Sequence, residues 1–329
     1  MEILVFFTRC YDILLVHVIN PAKVVASMAR MSTSASTGIS ARTDPVKGRQ
    51  VDLSRWLVVV PARLASSRLP EKPLVDLGGK PLVVRVYENL RPLAESGARI
   101  VVAIDDDRVA AVCRTHEVPF VMTSRDHATG TDRCAEAARI YEGTGSHAAV
   151  ADAGLQSFSW VLNVQGDEPF IDPLDLIRLC ESFSAHQSRE KALHGPGNAA
   201  PTAHYGTRMA SMYFRSRDQH RFSQRSCVKV VCSKTGHALY FSRSPIPCDR
   251  DGDGPMAGEF LVHMGVYAFD RQALDQFCQL PPSPLEMTEK LEQLRALEVG
   301  WRILMQEASG ESLGIDTPAD LEAARARYR

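Results

Sequence analysis

Hydrophobic positions in this chain come mostly in short unbroken runs rather than in strict alternation. Trp56-Leu57-Val58-Val59-Val60 ends at Pro61, and a run of that length bounded by a breaker predicts a parallel strand buried on both faces. Arg99 to Ile104, Val118 to Met122 and Ser159 to Val164 repeat the pattern. Between these runs the spacing turns helical. Pro81 opens a predicted helix to about Ser96, with Gly97 just past its end. Asp106 is placed to cap a helix over 107–116, Thr131 to Glu142 has helical spacing, and Pro173 to Phe183 follows the fourth strand. Strands alternating with helices of about a dozen residues predict an α/β fold with a doubly wound, mostly parallel sheet and right-handed crossovers.

The second half changes character. Met209–Arg215, Val228–Ser233 and Ala238–Ser242 are closely spaced and β-rich, which predicts antiparallel strands, and Leu261–Phe269 adds another. Helices are expected near 271–279 and 285–299, then a strand over 302–306 and a last helix from Pro318. The stretches 143–158 and 185–207 carry Gly, Pro, His and Ala without periodicity and read as surface loop insertions. No internal repeat is visible.

Composition narrows the function. The 329 residues carry 38 Lys+Arg against 39 Asp+Glu, so no broad field draws a polyanion and nucleic acid is not the expected partner. Eight cysteines are scattered without a C-x-x-C or a ligand-spaced histidine, which points to small core residues in a reducing cytoplasm. Residues 1–55 stand apart. Ile3 to Ile19 is apolar but interrupted by Arg9, Asp12 and His17, too short for a comfortable membrane span, and Glu2 does not fit a signal peptide. Residues 31–50 are rich in Ser, Thr and Ala and read as disordered. Three readings stand for this extension: a start truly at Met28 or Met31, a floppy tail, or an organelle-targeting peptide.

Candidate chemistry gathers after two strands. Behind the first come Arg63, Arg68 and Lys72, three cations within ten residues among small side chains. They lie at the carboxyl end of a first strand, where a Rossmann-like sheet binds ligands. Arginine forks and a lysine charge there suit a triphosphate. The absence of G-x-x-x-x-G-K-[ST] and of G-x-G-x-x-G disfavours P-loop kinases and nucleotide dehydrogenases. Behind the fourth strand comes Asn163-Val164-Gln165-Gly166-Asp167-Glu168-Pro169, whose Asp167 is placed to hold Mg²⁺ between protein and phosphates. In Gly314 to Asp320, Thr317 or Asp316 can cap the last helix, and Asp316 offers a second carboxylate to the same metal.

Taken in order, these segments resemble the 3-deoxy-manno-octulosonate (Kdo) cytidylyltransferases, or CMP-Kdo synthetases, from about Leu57 to the C-terminus. The resemblance is carried by Pro61-Ala62-Arg63 through Lys72-Pro73, by Thr123 to Arg133 and by Asn163 to Pro169. Tyr240 to Arg250, His263 to Tyr267, Leu291 to Arg295 and Gly314 to Pro318 complete it. It implies transfer of a cytidylyl group from CTP to Kdo, with Arg63, Arg68, Lys72 and Asp167 as the catalytic set. Arg63, Ser67, Arg68, Lys72, Arg125, Gly130 and Thr131 would hold CTP. Gln165, Arg243, His263, Tyr267, Glu292 and Gln293 would contact Kdo, and Asp167 and Asp316 would bind Mg²⁺. The implied layout is CTP binding over 56–208, a β-rich sugar and dimer part over 209–270, and C-terminal helices over 271–329 completing the site of a cytoplasmic homodimer.

The chain departs from the family pattern at Glu71 (usually Gly), at Ser226 (usually Asn), at Cys248 (usually Trp) and in the two insertions. Two rivals follow: a cytidylyltransferase for another acid sugar, such as 8-amino-Kdo or a sialic acid, and a non-catalytic sugar-nucleotide-binding regulator.

Overall fold

The computed structural model describes residues 51–66, 68–143, 157–194, 206–250, 252 and 258–328. Gln50–Arg329 form one compact unit. Ser67, residues 1–50 of the extension, and the stretches 144–156 and 195–205 of the two expected insertions lie outside the described residues.

Strands β1 (Trp56–Ala62), β2 (Arg99–Ile104), β3 (Phe120–Met122) and β4 (Trp160–Asn163) are parallel and lie in the order β3-β2-β1-β4. In β1, Leu57 and Val59 face one apolar cluster while Val58 and Val60 face the other, all of them fully buried. A strand covered on both sides must be apolar at every position, which is why the run does not alternate. β5 (Thr207–Ser216), β6 (Lys229–Cys232), β7 (Ala238–Ser242), β8 (Phe260–Asp270) and β9 (Arg302–Glu307) continue the same sheet. β8 runs antiparallel to β4, β5 and β6, and β6 runs antiparallel to β7, as the second-half pattern predicts. β9, however, is parallel to β5. The sheet is therefore parallel across β1–β4 and mixed beyond.

The helices are α1 (Leu82–Asn89), α2 (Arg91–Glu95), α3 (Asp107–Thr115), α4 (Gly130–Tyr141) and α5 (Pro173–His194). After them come α6 (Gln219–Ser223), α7 (Arg271–Gln279), α8 (Pro284–Glu289), α9 (Gln293–Glu298) and α10 (Pro318–Arg325). Buried residues of α1, α2, α3, α5 and α10 join one cluster, and those of α4, α7 and α9 join the other, so the sheet is doubly wound.

Three predicted helices differ. The one expected over 81–96 is two, broken at Leu90, because Pro92 in the first turn of α2 brings no N–H to continue α1. The one expected over 285–299 is also two, since Lys290 takes the left-handed region at φ 54° and ends α8. α5 runs on to His194 through the start of the stretch read as a loop at 185–207. No Gly or Pro occurs there before Gly195, and Gln187 and Glu190 tie the extra turns to Trp160 and Thr207 at the sheet.

Candidate active site

Two strand ends build the site. β1 delivers Pro61 to Arg63, and the chain then passes Ser66 and Arg68 into a short 3₁₀ turn over Lys72–Leu74. β4 delivers Asn163 and the turn Gln165 to Glu168 beside it. The two approach closely: a Cβ on Gly166 would stand 2.6 Å from the Pro61 carbonyl oxygen, so only glycine closes this turn. Between them lies a cavity of about 250 Å³, whose lining includes Arg63, Arg68, Lys72, Gly130, Gln165, Asp167 and Asp316. The cation loop and both predicted metal carboxylates thus meet in one place, although Asp167 and Asp316 lie far along the chain from Arg63, Arg68 and Lys72.

The charges there are interlocked. Lys72 Nζ reaches Asp167 at 2.5 Å and Asp316 at 2.8 Å, and Arg68 adds a second cation to Asp316 at 3.1 Å. Burial pushes the Asp167 carboxyl above its ordinary range, against the pull of Lys72 and with a further push from Asp316. Burial also acts on Asp316, but the Lys72 hydrogen bond and charge, with Arg68, win and hold it low. Asp316 stands just before α10, fixed by a capping box between Thr317 and Asp320, and Ile315 donates its N–H to the Asp167 carbonyl. Glu168 points the other way, bonded by Ser312 at 2.5 Å, and burial raises it to about 7.

A second cavity of about 410 Å³ shares this wall. Gln165 to Asp167 line the first cavity and Glu168 the second; likewise Asp316 faces one, Glu311 and Ser312 the other. Its floor is β8, with His263, Gly265 and Tyr267 where the ends of β4 and β6 leave an edge of that strand uncovered. Ser226, at a departure from the family pattern, lines it as well.

Of the sugar-side residues expected from the resemblance, His263 and Tyr267 line this cavity, Gln165 lines the first, and Glu292 and Gln293 line neither but are tied to residues that border them. Tyr267 donates to Gln293 Oε1 at 3.0 Å, and the Nε2 of Gln293 is buried without a hydrogen-bond partner. Glu292 accepts from Thr131 at 2.5 Å, and His263 shares a hydrogen bond with Ser211 at 2.9 Å. Arg243 is not among the lining residues. Its guanidinium already donates to the backbone carbonyls of Glu289, Arg225 and Lys290, which sets its fork to bracing the loop. Arg125, expected to hold CTP, is likewise not among the lining residues; it is 73% exposed and anchored to the Asp105 carbonyl and Asp106.

The sequence reading passed over Arg133 as a site residue. It lines the first cavity at 2% exposure, donating to Asp105 at 2.9 Å and Thr123 at 2.6 Å, while Asp105 also accepts the Leu64 N–H of the cation loop. The Gly130-Thr131-Asp132-Arg133 segment was legible, but nothing in it separates a buried arginine from a solvated one. Lys229 was missed for the same reason. Fully buried, it donates to the carbonyls of Gln224, Cys227 and Arg243 and so joins the loops around the second cavity.

No group of three or more His, Cys, Asp or Glu fit to hold a metal ion occurs among the described residues. Asp167 and Asp316 do converge on a single cation, the Lys72 ammonium. Two hard carboxylates at one point, with room beside them for phosphate oxygens and water, fit Mg²⁺.

A doubly wound sheet with a cation loop at the carboxyl end of β1, facing paired carboxylates and a second cavity across a shared wall, defines a nucleotidyltransferase. Similarity takes this to a particular family. The cytidylyltransferase family profile matches residues 57–303. The 3-deoxy-manno-octulosonate cytidylyltransferase of Wolinella succinogenes is 42% identical over 268 residues, covering 82% of this chain and 97% of that one. The enzyme of the same name from Geobacter sulfurreducens is 41% identical over 274 residues, covering 80% and 95%. Among solved structures, a CMP:2-keto-3-deoxy-manno-octonic acid synthetase complexed with CTP is 34% identical, with a TM-score of 0.68 over 83% of this chain and 98% of that one. The chain belongs to the 3-deoxy-manno-octulosonate cytidylyltransferase family.

Proposed function

We propose that the protein activates Kdo by the reaction CTP + Kdo → CMP-Kdo + diphosphate, supplying the activated sugar for lipopolysaccharide synthesis. The observation that carries this reading is the shared wall: a cation-lined cavity and a sugar-sized cavity meet at Asp167-Glu168. Arg63, Arg68 and Lys72 neutralise the triphosphate in the first, and Gly130 lines the part of that cavity formed by the start of α4. His263 and Tyr267 line the second, where the sugar lies with its anomeric hydroxyl toward the α-phosphorus. In-line attack then forms the new P–O bond as diphosphate leaves. Little covalent chemistry falls to the protein, which works by positioning two substrates and neutralising charge.

Asp167 and Asp316 would hold Mg²⁺, which when bound supplies Lewis acidity at the phosphate and lowers the hydroxyl's pKa. Lys72, now shared by both carboxylates, is then free to bind phosphate oxygens. The reading also includes a cytoplasmic homodimer. The seven described cysteines are all free thiols, as a reducing compartment favours; light scattering reports the dimer.

Diphosphate release from CTP with Mg²⁺ tests the reaction, comparing Kdo, 8-amino-Kdo, N-acetylneuraminate and no sugar. Release with Kdo and its loss with EDTA are expected. Release with another acid sugar alone moves the substrate. Silence with every sugar while CTP still binds leaves a regulator. Asp167→Asn is expected to lose most of the turnover, by at least about 10²-fold, with an unchanged circular dichroism spectrum; near-normal rates sink the metal assignment.

A further inference from the structure

Thr131 opens the helix beside the nucleotide cavity, and the family resemblance gives it to CTP. Its surroundings give it another task. The residue is 1% exposed, and its hydroxyl donates its single proton to Glu292 Oε1 at 2.5 Å. The Thr131 hydroxyl oxygen in turn accepts from Asn163 Nδ2 at 3.3 Å. Asn163, fully buried, accepts in turn from Gln165, which lines the first cavity. On the far side, Glu292 precedes Gln293, whose Oε1 accepts from Tyr267, which lines the second cavity. Hydrogen bonds and one step along the backbone, from Glu292 to Gln293, therefore link residues of the two cavities, with Thr131 between them.

We propose that Thr131 is a coupling residue, through whose hydroxyl the nucleotide-side helix end and the sugar-side segment order each other, so that CTP and the acid sugar bind with positive cooperativity. The inference rests on the substrate reading above. Two features make the path responsive. Glu292 and Gln293 stand at the start of α9, six residues long and entered through the left-handed Lys290. A helix that short does not hold itself, so its place depends on ties such as the one to Thr131. Gln293 also carries a buried Nε2 without a hydrogen-bond partner, an unmet donor that leaves this turn short of one tie. CTP against Gly130 fixes the start of α4 and with it the Thr131–Glu292 bond; a sugar against Tyr267, which donates to Gln293, fixes the other end. Whichever ligand binds first bears the ordering cost, and the second binds more tightly.

The test is CTP affinity, with Mg²⁺, alone and under saturating 2-deoxy-Kdo, an analogue without the attacking hydroxyl and so inert to turnover. In the wild type the analogue is expected to tighten CTP about tenfold, and CTP must tighten the analogue by the same factor. In Thr131→Val, whatever its affinity for CTP alone, the tightening by the analogue should fall below about twofold. Thr131→Ser keeps the hydroxyl and must keep the tightening. Loss in the serine variant, retention in the valine variant, or equal weakening of CTP with and without the analogue overturns the proposal. A wild type that binds both ligands without tightening overturns this inference alone; one that binds neither overturns the substrate reading with it.

Discussion

Glu71 shows what a single residue can reveal once its backbone is known. It stands where the family has glycine, and its φ of 52° and ψ of 34° place it in the left-handed region, which an L side chain enters at a cost of about 1 kcal/mol relative to glycine. Its carboxylate does not burden the phosphate loop. It is turned to Arg108 at 2.5 Å, in a pair more than half exposed and therefore screened. Glu71→Gly is expected to gain about 1 kcal/mol at most, offset in part by the looser unfolded chain, and to raise the melting temperature by about 2 °C. A lower melting temperature in differential scanning fluorimetry would mean that the Arg108 pair outweighs the strain. Gly166 is the opposite case. Its glycine is demanded by the Pro61 carbonyl across the turn, a neighbour 105 positions away that no local pattern announces.

Among the elements, α4 carries more than its amphipathic pattern implies. Its buried face contributes Cys134, Ala135, Ala137 and Ala138 to the core, which the spacing predicts. The same helix sends Arg133 to Asp105 at the end of β2, and Asp105 holds the Leu64 N–H of the cation loop. Helix, strand and loop are locked through one carboxylate, at side-chain exposures of 3% and 9%. Asp105→Ala would leave the guanidinium buried and unpaired, and is expected to cost about 3–5 kcal/mol. Adding Arg133→Met should recover part of that loss, since it removes the orphaned charge; urea denaturation of the single and double variants measures both. A loss below about 1 kcal/mol for Asp105→Ala would show that water reaches Arg133. α10 performs a simpler task, its capping box aiming Asp316 back across the molecule at Asp167.

At the scale of the whole molecule, two histidines on different parts of the sheet, His237 buried and His263 half-buried, tie its stability to pH. Burial lowers His263 to about 3, beside Ser211, Phe241 and Tyr267. Burial also lowers His237 to about 4; the charges of Arg302 and His186 add to it and Glu190 opposes it. Both rings are neutral when folded and gain a proton near 6.5 when unfolded, so the unfolded state binds more protons below that point. Their contribution is complete above about pH 6.5 and is lost as pH falls toward 4 and then 3, at up to roughly 1.4 kcal/mol per unit for each ring. The melting temperature should therefore drop between pH 7 and pH 4.5, and His237→Gln should flatten that slope; an unchanged slope in the variant would show that His237 is already protonated when folded. By itself the sequence determined the doubly wound α/β class, nearly every strand, and the loops that bear charge, because burial on both faces of β1 and caps such as Thr317 leave local signatures in residue type and spacing. It also brought forward Arg63, Arg68, Lys72 and Asp167 behind strand ends, where such residues mark ligand positions, and Asp316 ahead of the last helix. Only the tertiary structure decided that β9 lies parallel to β5, that Arg243 spends its fork on carbonyls, that Arg133 and Lys229 are buried, and that Thr131 joins Glu292. Each of these depends on a partner far away in the chain, and local propensity holds no record of which distant group will be near.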